Sequence, residues 1–164
     1  MTILPDVLQP DLKIVFYGMA ASKKSADAAA YYAGPGNAFW PVLHCVGLTP
    51  RQFEPHEYRD LLDYGCGLTN LEQEQIGNDD ELDFSAIGGD TLRAQIEEFQ
   101  PRILAFVGKR AAQKFLGRKK LDYGLQPDTI GDTAIWVLPS TSGAARRYWD
   151  ESHWQALADT VKAD

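Results

Sequence analysis

A chain of 164 residues is long enough for one hydrophobic core, and we predict a single domain over residues 1–164. Its composition, with 45% hydrophobic and 24% charged residues, is typical of globular proteins in water, and no apolar stretch approaches the ~18 residues of a membrane span. The net charge of −7 at pH 7 argues against a protein that binds nucleic acid over its whole surface.

In chain order, the hydrophobic pattern alternates between short buried strands and amphipathic helices. Apolar runs that end at glycine or proline predict strands over residues 13–18, 102–108 and 133–139. Helices are predicted over residues 38–47, 55–65, 90–100, 109–117 and 150–163, with a short extended piece at 67–71 and loops at 78–89 and 140–147. Asp90 is the predicted N-cap of its helix, and Pro101 ends that helix.

Strands that are separated by helices predict an α/β protein with a parallel sheet and helices on both of its faces. Ligands bind to such sheets beyond the carboxyl ends of the strands. The segments 19–22, 108–109 and 140–147 follow the three predicted strands, so we expect them to be neighbours. They are built largely of small residues, which let a ligand approach the backbone closely.

Two adjacent tyrosines and an asparagine lie between the first strand and the first helix. Either Tyr31 or Tyr32 could stack on a flat ring, or both could be packing residues. Asn37 could simply cap the helix that follows it. Alternatively, its amide offers a donor and an acceptor together, which matches the edge of a nucleobase.

The charges are unevenly distributed along the chain. Between Glu54 and Glu98 there are thirteen acidic residues, against two basic ones. From Gln100 to Leu121 there are seven basic residues and no acidic one. This asymmetry indicates either a face that holds a polyanion or an ordinary solvated helix surface.

The cysteines and histidines favour no special chemistry. Cys45 and Cys66 are expected to be free, buried thiols in a reducing cytoplasm. No cysteine and histidine spacing matches a zinc site, so we expect no metal. His44, His56 and His153 each fall in a predicted helix and are expected to lie away from the site. The N-terminus lacks the basic and then apolar pattern of a secretory signal, so a cytoplasmic location is expected.

Residues 8–22, 31–71 and 136–146 resemble the mismatch-specific uracil/thymine-DNA glycosylase family of the uracil-DNA glycosylase superfamily, and the resemblance spans about Leu8 to Leu157. The most specific parts are GNAFWP at 36–41 and LP-x-x-SG at 138–143, and YYAGPGNAFW at 31–40 is also similar to the hypoxanthine-DNA glycosylase branch. The resemblance implies a three-layer α/β/α sandwich with a short central parallel sheet. It also implies a monomer without metal or cofactor that binds DNA and hydrolyses the N-glycosidic bond of uracil, hypoxanthine or mismatched thymine, the first step of base excision repair.

The resemblance also implies roles for individual residues. Tyr32 would stack on the base that is turned out of the duplex, and Asn37 would contact its edge and help it leave. For the water, which the chemistry requires to be activated, this chain itself offers two options: Ser22 or a backbone carbonyl in the segment 19–22, or else Asp80 in an acidic stretch that could equally be a solvated loop. The residues expected to line the base site are Gly18, Met19, Ala20, Ser140 and Ser142, and those expected to contact DNA are Lys109, Gly143, Ala144, Ala145 and Arg146.

Two motifs depart from the family. The first motif of the family reads Gly-Ile-Asn-Pro, and its asparagine positions the hydrolytic water; here Ala20 stands at that place. The second begins Asn-Pro-Ser-Gly, whereas this chain has Ser140-Thr141-Ser142-Gly143 and no histidine in the loop. A catalytically weak or inactive protein that binds lesions or abasic sites is therefore an alternative. An unrelated flavodoxin-like nucleotide-binding module is a third hypothesis, against which the lack of a glycine-rich phosphate loop counts.

Overall fold

The computed structural model of the chain describes residues 6–20, 30–34, 36–72, 89–143, 147 and 149–162. For residues 19–20, 70–72 and 89–91 it describes the backbone alone. Within these ranges, no helix is both long enough and apolar enough to cross a membrane. The elements in chain order are β1 (Ile14–Ala20), α1 (Phe39–Cys45), a 3₁₀ helix (Pro55–Tyr64), β2 (Cys66–Glu72), α2 (Gly89–Phe99), β3 (Ile103–Val107), α3 (Lys109–Leu116), β4 (Gly124–Ile130), β5 (Thr133–Leu138) and α4 (Glu151–Lys162).

The five strands form one sheet in the order β2-β1-β3-β5-β4. The first four strands in this order are parallel, with Ile14 in register with both Cys66 and Ile103, and Ile103 in register with Ala134. The edge strand β4 runs antiparallel to β5, with an irregular register between Leu125 and Thr129. The predicted central parallel sheet is therefore confirmed, and the sequence did not predict the antiparallel edge strand β4, which a short connection joins to β5 as a hairpin.

The core consists of two layers, one on each face of the sheet. Alternate residues of β1 face opposite sides, so Phe16 packs with α1 and α4, whereas Val15 and Tyr17 pack with α2 and α3. Both faces of the central strands are covered, which explains why β3 is buried at every position. The predicted three-layer α/β/α architecture is confirmed.

Several local predictions need correction. The predicted second helix is a 3₁₀ helix, which begins with a capping box between Glu54 and Glu57 and ends at Gly65 with φ of 79°. Asp90 is the second residue of α2 and not its N-cap, because the helix already begins at Gly89. Cys66 is buried as expected, but Cys45 is exposed near the end of α1, and both are free thiols.

Candidate functional site

The carboxyl ends of three adjacent parallel strands, β1, β3 and β5, meet at one edge of the sheet. The strand β1 continues to Ala20, two residues beyond its predicted end, and Gly18 pairs there with Asn70 of β2. Gly18 is two residues beyond Phe16, so it lies on the sheet face that is covered by α1. Met19 and Ala20 thus belong to the strand and not to a loop.

The loop after β5 packs directly against the end of β3. Gly108 donates its backbone N–H to the carbonyl oxygen of Leu138 at 2.8 Å. Gly108 has a φ of 114°, a backbone conformation that favours glycine. A Cβ at this position would make only an ordinary contact with the Cβ of Ser140 at 3.5 Å, so the backbone conformation, and not a lack of space, favours glycine here. The hydroxyl of Ser140 accepts the N–H of Ser142 at 3.2 Å and so shapes the exposed turn that leads to Gly143. The structure therefore brings residues 108–109 and 140–143 together, as the sequence predicts.

Two hydrogen bonds hold this loop against the helical layer. The carbonyl oxygen of Thr141, a buried residue, accepts the N–H of Ala38 at 2.9 Å, which joins the loop to the segment that carries Asn37. The indole N–H of Trp154 in α4 donates to the carbonyl oxygen of Pro139 at 3.2 Å. The Asn37 segment and the loop after β5 are thereby fixed relative to each other.

The side chain of Asn37 has a defined orientation. Its Oδ1 accepts the N–H of Phe39, the first residue of α1, at 2.9 Å. Its own backbone N–H donates to the carbonyl oxygen of Gly34 at 3.2 Å. The expectation that Asn37 caps the helix is wrong, because the N-cap of α1 is Ala38, which has no side-chain cap; the Asn37 side chain instead closes a turn onto the first N–H of the helix. This bond uses the amide oxygen, so the two N–H donors of Nδ2 remain on the other side of this half-buried group.

The two tyrosines differ in their surroundings. Tyr31 is a core residue that is 1% exposed, and its carbonyl oxygen accepts the indole N–H of Trp40 at 3.0 Å. The Tyr32 ring stacks on Phe39 at 4.0 Å between centroids, with 19° between the planes. Tyr32 has a φ of 53°, which is unusual for an aromatic residue. Its hydroxyl is enclosed without a hydrogen-bond partner among the described residues, and this burial raises the pKa of the Tyr32 phenol.

Lys109, at the start of α3, belongs to a stack of three side chains. Its Nζ lies 4.4 Å from the centroid of the Tyr123 ring, whose centroid is 5.2 Å from that of His153 in α4. The Nε2 of His153 lies 3.6 Å from a carboxylate oxygen of Asp150. His153 therefore adjoins a predicted DNA contact through Tyr123, although the sequence predicts that it lies away from the site.

Sequence patterns do not single out Phe39 or Tyr123. The sequence pattern predicts Phe39 only as the first core residue of a helix. Its stacking partner Tyr32 lies in a turn and has an unusual φ, which the residue type does not predict. Tyr123 contacts Lys109 and His153 only because β4 pairs with β5. No hydrophobic pattern in the sequence predicts β4. The one available signal for Tyr123 is an aromatic residue just after a basic segment.

Five predicted site residues lie outside the described part of the chain and stay predictions: Ser22, Asp80, Ala144, Ala145 and Arg146. The side chains of Met19 and Ala20 are likewise not described. Within the described ranges, no group of three histidine, cysteine, aspartate or glutamate residues is arranged to hold a metal ion.

Two comparisons with known proteins bear on the family and the fold of the chain. A model of the uracil DNA glycosylase superfamily matches residues 5–160 of the chain. The solution NMR structure of a protein from Methanosarcina acetivorans, named as a candidate uracil DNA glycosylase, is similar with a TM-score of 0.59 and 23% sequence identity. The similarity covers 97% of this chain and 96% of that chain. At this identity the likeness shows the shared α/β fold alone.

Proposed function

Because this chain belongs to the uracil DNA glycosylase superfamily and is thus a DNA glycosylase, a hydrolase of DNA repair, we propose that it releases uracil from DNA. Hydrolysis of the N-glycosidic bond leaves an abasic site, which is the starting point of base excision repair. Hypoxanthine and mismatched thymine are the secondary substrates of this proposal, because they present carbonyl oxygens on the same edge as uracil.

The orientation of the Asn37 amide is the observation that carries the proposal. Its Oδ1 is engaged by the N–H of Phe39, so Nδ2 offers two hydrogen-bond donors to a base. Uracil accepts such bonds at its carbonyl oxygens, and these oxygens gain negative charge as the bond to the sugar breaks. A fixed donor aimed at developing charge in a dry site contributes about 10²–10³ in rate. Asn37 would therefore both recognise the base and stabilise it as it leaves.

Tyr32 supplies the second element of the proposed base site. Phe39 covers one face of its ring, which holds the ring in place. In the proposed complex the turned-out base stacks on Tyr32, an interaction worth about 1–3 kcal/mol. The sugar then becomes cation-like, as in other glycoside hydrolysis, and a water molecule adds to its anomeric carbon. Ser22 and Asp80 remain the alternative groups for activating that water.

A second candidate function follows from Ala20. It occupies the last position of β1, where the family has the asparagine that positions water. A methyl group cannot accept a hydrogen bond from water, so the chain could bind damaged DNA or abasic sites without rapid excision. This alternative retains the DNA-binding surface and loses the chemistry.

Base release from defined oligonucleotides separates the two candidates. Duplexes that carry uracil, hypoxanthine or a G·T mismatch are incubated with excess protein, and abasic sites are then cleaved with alkali. We expect cleavage at uracil in single-turnover conditions. Binding to these duplexes without any cleavage would instead support the lesion-binding function.

A further inference from the structure

The side chain of Trp154 lies between the two parts of the proposed base site. It belongs to the buried face of α4 and is 0% exposed. Its contacts reach both ends of the chain segment that joins β5 to α4, and they also reach the first residue of α1. We refer to that joining segment, residues 139–150, as the β5–α4 connection.

The indole N–H of Trp154 is bonded to the beginning of the connection. It donates to the carbonyl oxygen of Pro139, which directly follows β5, at 3.2 Å. Pro139 is buried, so this carbonyl needs a partner from the protein. The next residue, Ser140, lies beside Gly108 at the end of β3. The N–H of Trp154 therefore fixes the connection at the point where it leaves the sheet.

The indole ring of Trp154 contacts the other end of the connection. The ring centroid of Trp149 lies 6.1 Å from that of Trp154, with 34° between the planes. The following residue, Asp150, accepts the N–H and hydroxyl of Ser152 at 3.0 and 2.6 Å, and α4 begins there. Both ends of the connection are thus attached to one side chain, so a change in Trp154 alters both ends together.

The same ring supports the aromatic stack on which the base would lie. Phe39 packs edge-on against Trp154 at 6.0 Å between centroids, and it stacks on Tyr32 at 4.0 Å. Phe16 of β1 contacts both Trp154 and Phe39, at 5.8 and 5.3 Å between centroids. Protein interiors are close-packed, so a shift of the Trp154 ring would displace Phe39 and, through it, Tyr32.

We propose that Trp154 is a positioning residue for base excision, which fixes the β5–α4 connection relative to the ring of Tyr32. Excision from a duplex requires both parts at once, because the turned-out base must stay in its pocket while protein groups hold the gap that it leaves. Trp154 is fully buried, so it acts through Pro139, Trp149 and Phe39 and does not contact DNA. The inference rests on the proposed function in taking a turned-out base as the substrate, and not on which base is released.

Two replacements of Trp154 test this role. Trp154→Phe removes the N–H and one of the two fused rings. The unnatural residue 3-benzothienylalanine at position 154 keeps both rings and replaces only the N–H by sulfur. We expect each change to slow single-turnover excision from a duplex about five- to twentyfold at saturating protein, while the affinity for an undamaged duplex stays the same. An unchanged excision rate in either variant would overturn the proposal.

Thr133→Val is the matched control for a loss of stability. The hydroxyl of Thr133 donates to the carbonyl oxygen of Pro101 at 2.6 Å, so this bond also joins a buried side chain to a proline carbonyl. Thr133 begins β5 and therefore lies at the opposite end of that strand from the site. Thr133→Val and Trp154→Phe should each lower the thermal midpoint by about 2–8 °C. Only Trp154→Phe should slow excision well below both midpoints, and an equal slowing by Thr133→Val would refute the positioning role.

A double variant tests whether Trp154 acts through the aromatic stack. In Tyr32→Ala the stacking ring is absent, so its position no longer affects the rate. The combined loss of excision in Trp154→Phe/Tyr32→Ala should therefore be smaller than the product of the two single losses. Losses that multiply fully would show that Trp154 acts independently of Tyr32, and would contradict the proposal.

Binding to a duplex with a tetrahydrofuran abasic-site analogue separates this inference from the proposed function. The protein must hold the gap in this duplex, but no bond is broken. We expect Trp154→Phe to reduce the preference for this duplex over an undamaged one about three- to tenfold, and Thr133→Val to keep it. If the wild type releases no base from any duplex, the proposed function fails, while this preference still decides the role of Trp154. An unchanged preference in Trp154→Phe would overturn that role.

Discussion

At the scale of single residues, Asn37 combines a structural role with the proposed chemical one. Its amide oxygen accepts the N–H of Phe39 at the start of α1, and its amide nitrogen faces away from that bond. The two roles use different atoms, so they can be separated by substitution. A variant that keeps the oxygen and loses the nitrogen donors should fold normally and still fail in catalysis.

Asn37→Asp is this variant. Aspartate accepts the N–H of Phe39 as well as asparagine does, so the thermal midpoint should stay close to that of the wild type. Its carboxylate cannot donate to the base and repels negative charge on it, so single-turnover excision should fall by at least about 10²-fold. Asn37→Ala should lose similar activity and, without its hydrogen bond to Phe39, about 0.5–1.5 kcal/mol of stability as well. Normal excision by Asn37→Asp would remove Asn37 from the proposed mechanism.

Tyr32 offers a second residue-scale prediction, because its hydroxyl is enclosed without a partner among the described residues. Tyr32→Phe keeps the stack on Phe39 and removes this buried polar atom, so we expect stability to rise by about 1 kcal/mol. For a chain of this length the thermal midpoint should increase by about 2–4 °C. Excision should stay within a few-fold of the wild type, whereas Tyr32→Ala, which removes the stacking ring, should lose at least about tenfold. Calorimetry and single-turnover rates measure both effects, and a destabilised Tyr32→Phe would indicate that the hydroxyl has a partner after all.

At the scale of elements, the 3₁₀ helix is tied to the preceding turn by an ion pair. Glu57 accepts two hydrogen bonds from Arg51, at 2.9 and 2.6 Å, and a third from the N–H of Glu54. These hydrogen bonds, of which those from Arg51 have the largest effect, lower the pKa of the Glu57 carboxyl from 4.5 to about 2. Because the pKa is lower in the folded state, this carboxylate stabilises the protein fully above about pH 4.5 and loses that contribution as the pH falls toward 2.

Glu57→Gln should therefore flatten the acid limb of the stability curve. The thermal midpoint of the wild type should fall more steeply than that of Glu57→Gln between pH 4.5 and 2, because the glutamine has no proton to take up. Asp63→Asn, which alters an exposed carboxylate at the other end of the same helix, is the control and should follow the wild-type curve. Parallel curves for the wild type and Glu57→Gln would contradict the assigned ion pair.

The elements that the sequence predicts well are those whose burial leaves a pattern. The strands β1, β3 and β5 are apolar runs because helices cover both of their faces. The strand β4 leaves no such pattern, since it is an edge strand with Pro127 at its centre and Leu125 62% exposed. The 3₁₀ geometry of Pro55–Tyr64 is equally hidden, because its apolar spacing also fits an α-helix.

At the scale of the whole molecule, the candidate site is assembled by topology. The order β1-β3-β5 brings together segments that are more than 80 residues apart in the chain, and this order follows from no single motif. The resemblance predicts which residues belong to the site, including Asn37 and Ser140. The stack of Tyr32 on Phe39 and the contact of Lys109 with Tyr123 depend on side-chain packing between elements, which local sequence does not encode.

Substitutions of Ala20 and Asp80 allow the source of the hydrolytic water to be tested. Ala20 ends β1, in register with Glu72 of the neighbouring strand, while Asp80 belongs to the segment that follows β2. If leaving-group stabilisation dominates catalysis, Asn37→Ala should slow single-turnover excision more than Asp80→Asn does. We expect this order, and we expect Ala20→Asn to raise the rate by supplying an amide that can position water. A disabling Asp80→Asn together with an unimproved Ala20→Asn would instead assign the water to the acidic segment, because a carboxylate there would then act as the general base and balance the charge on the sugar.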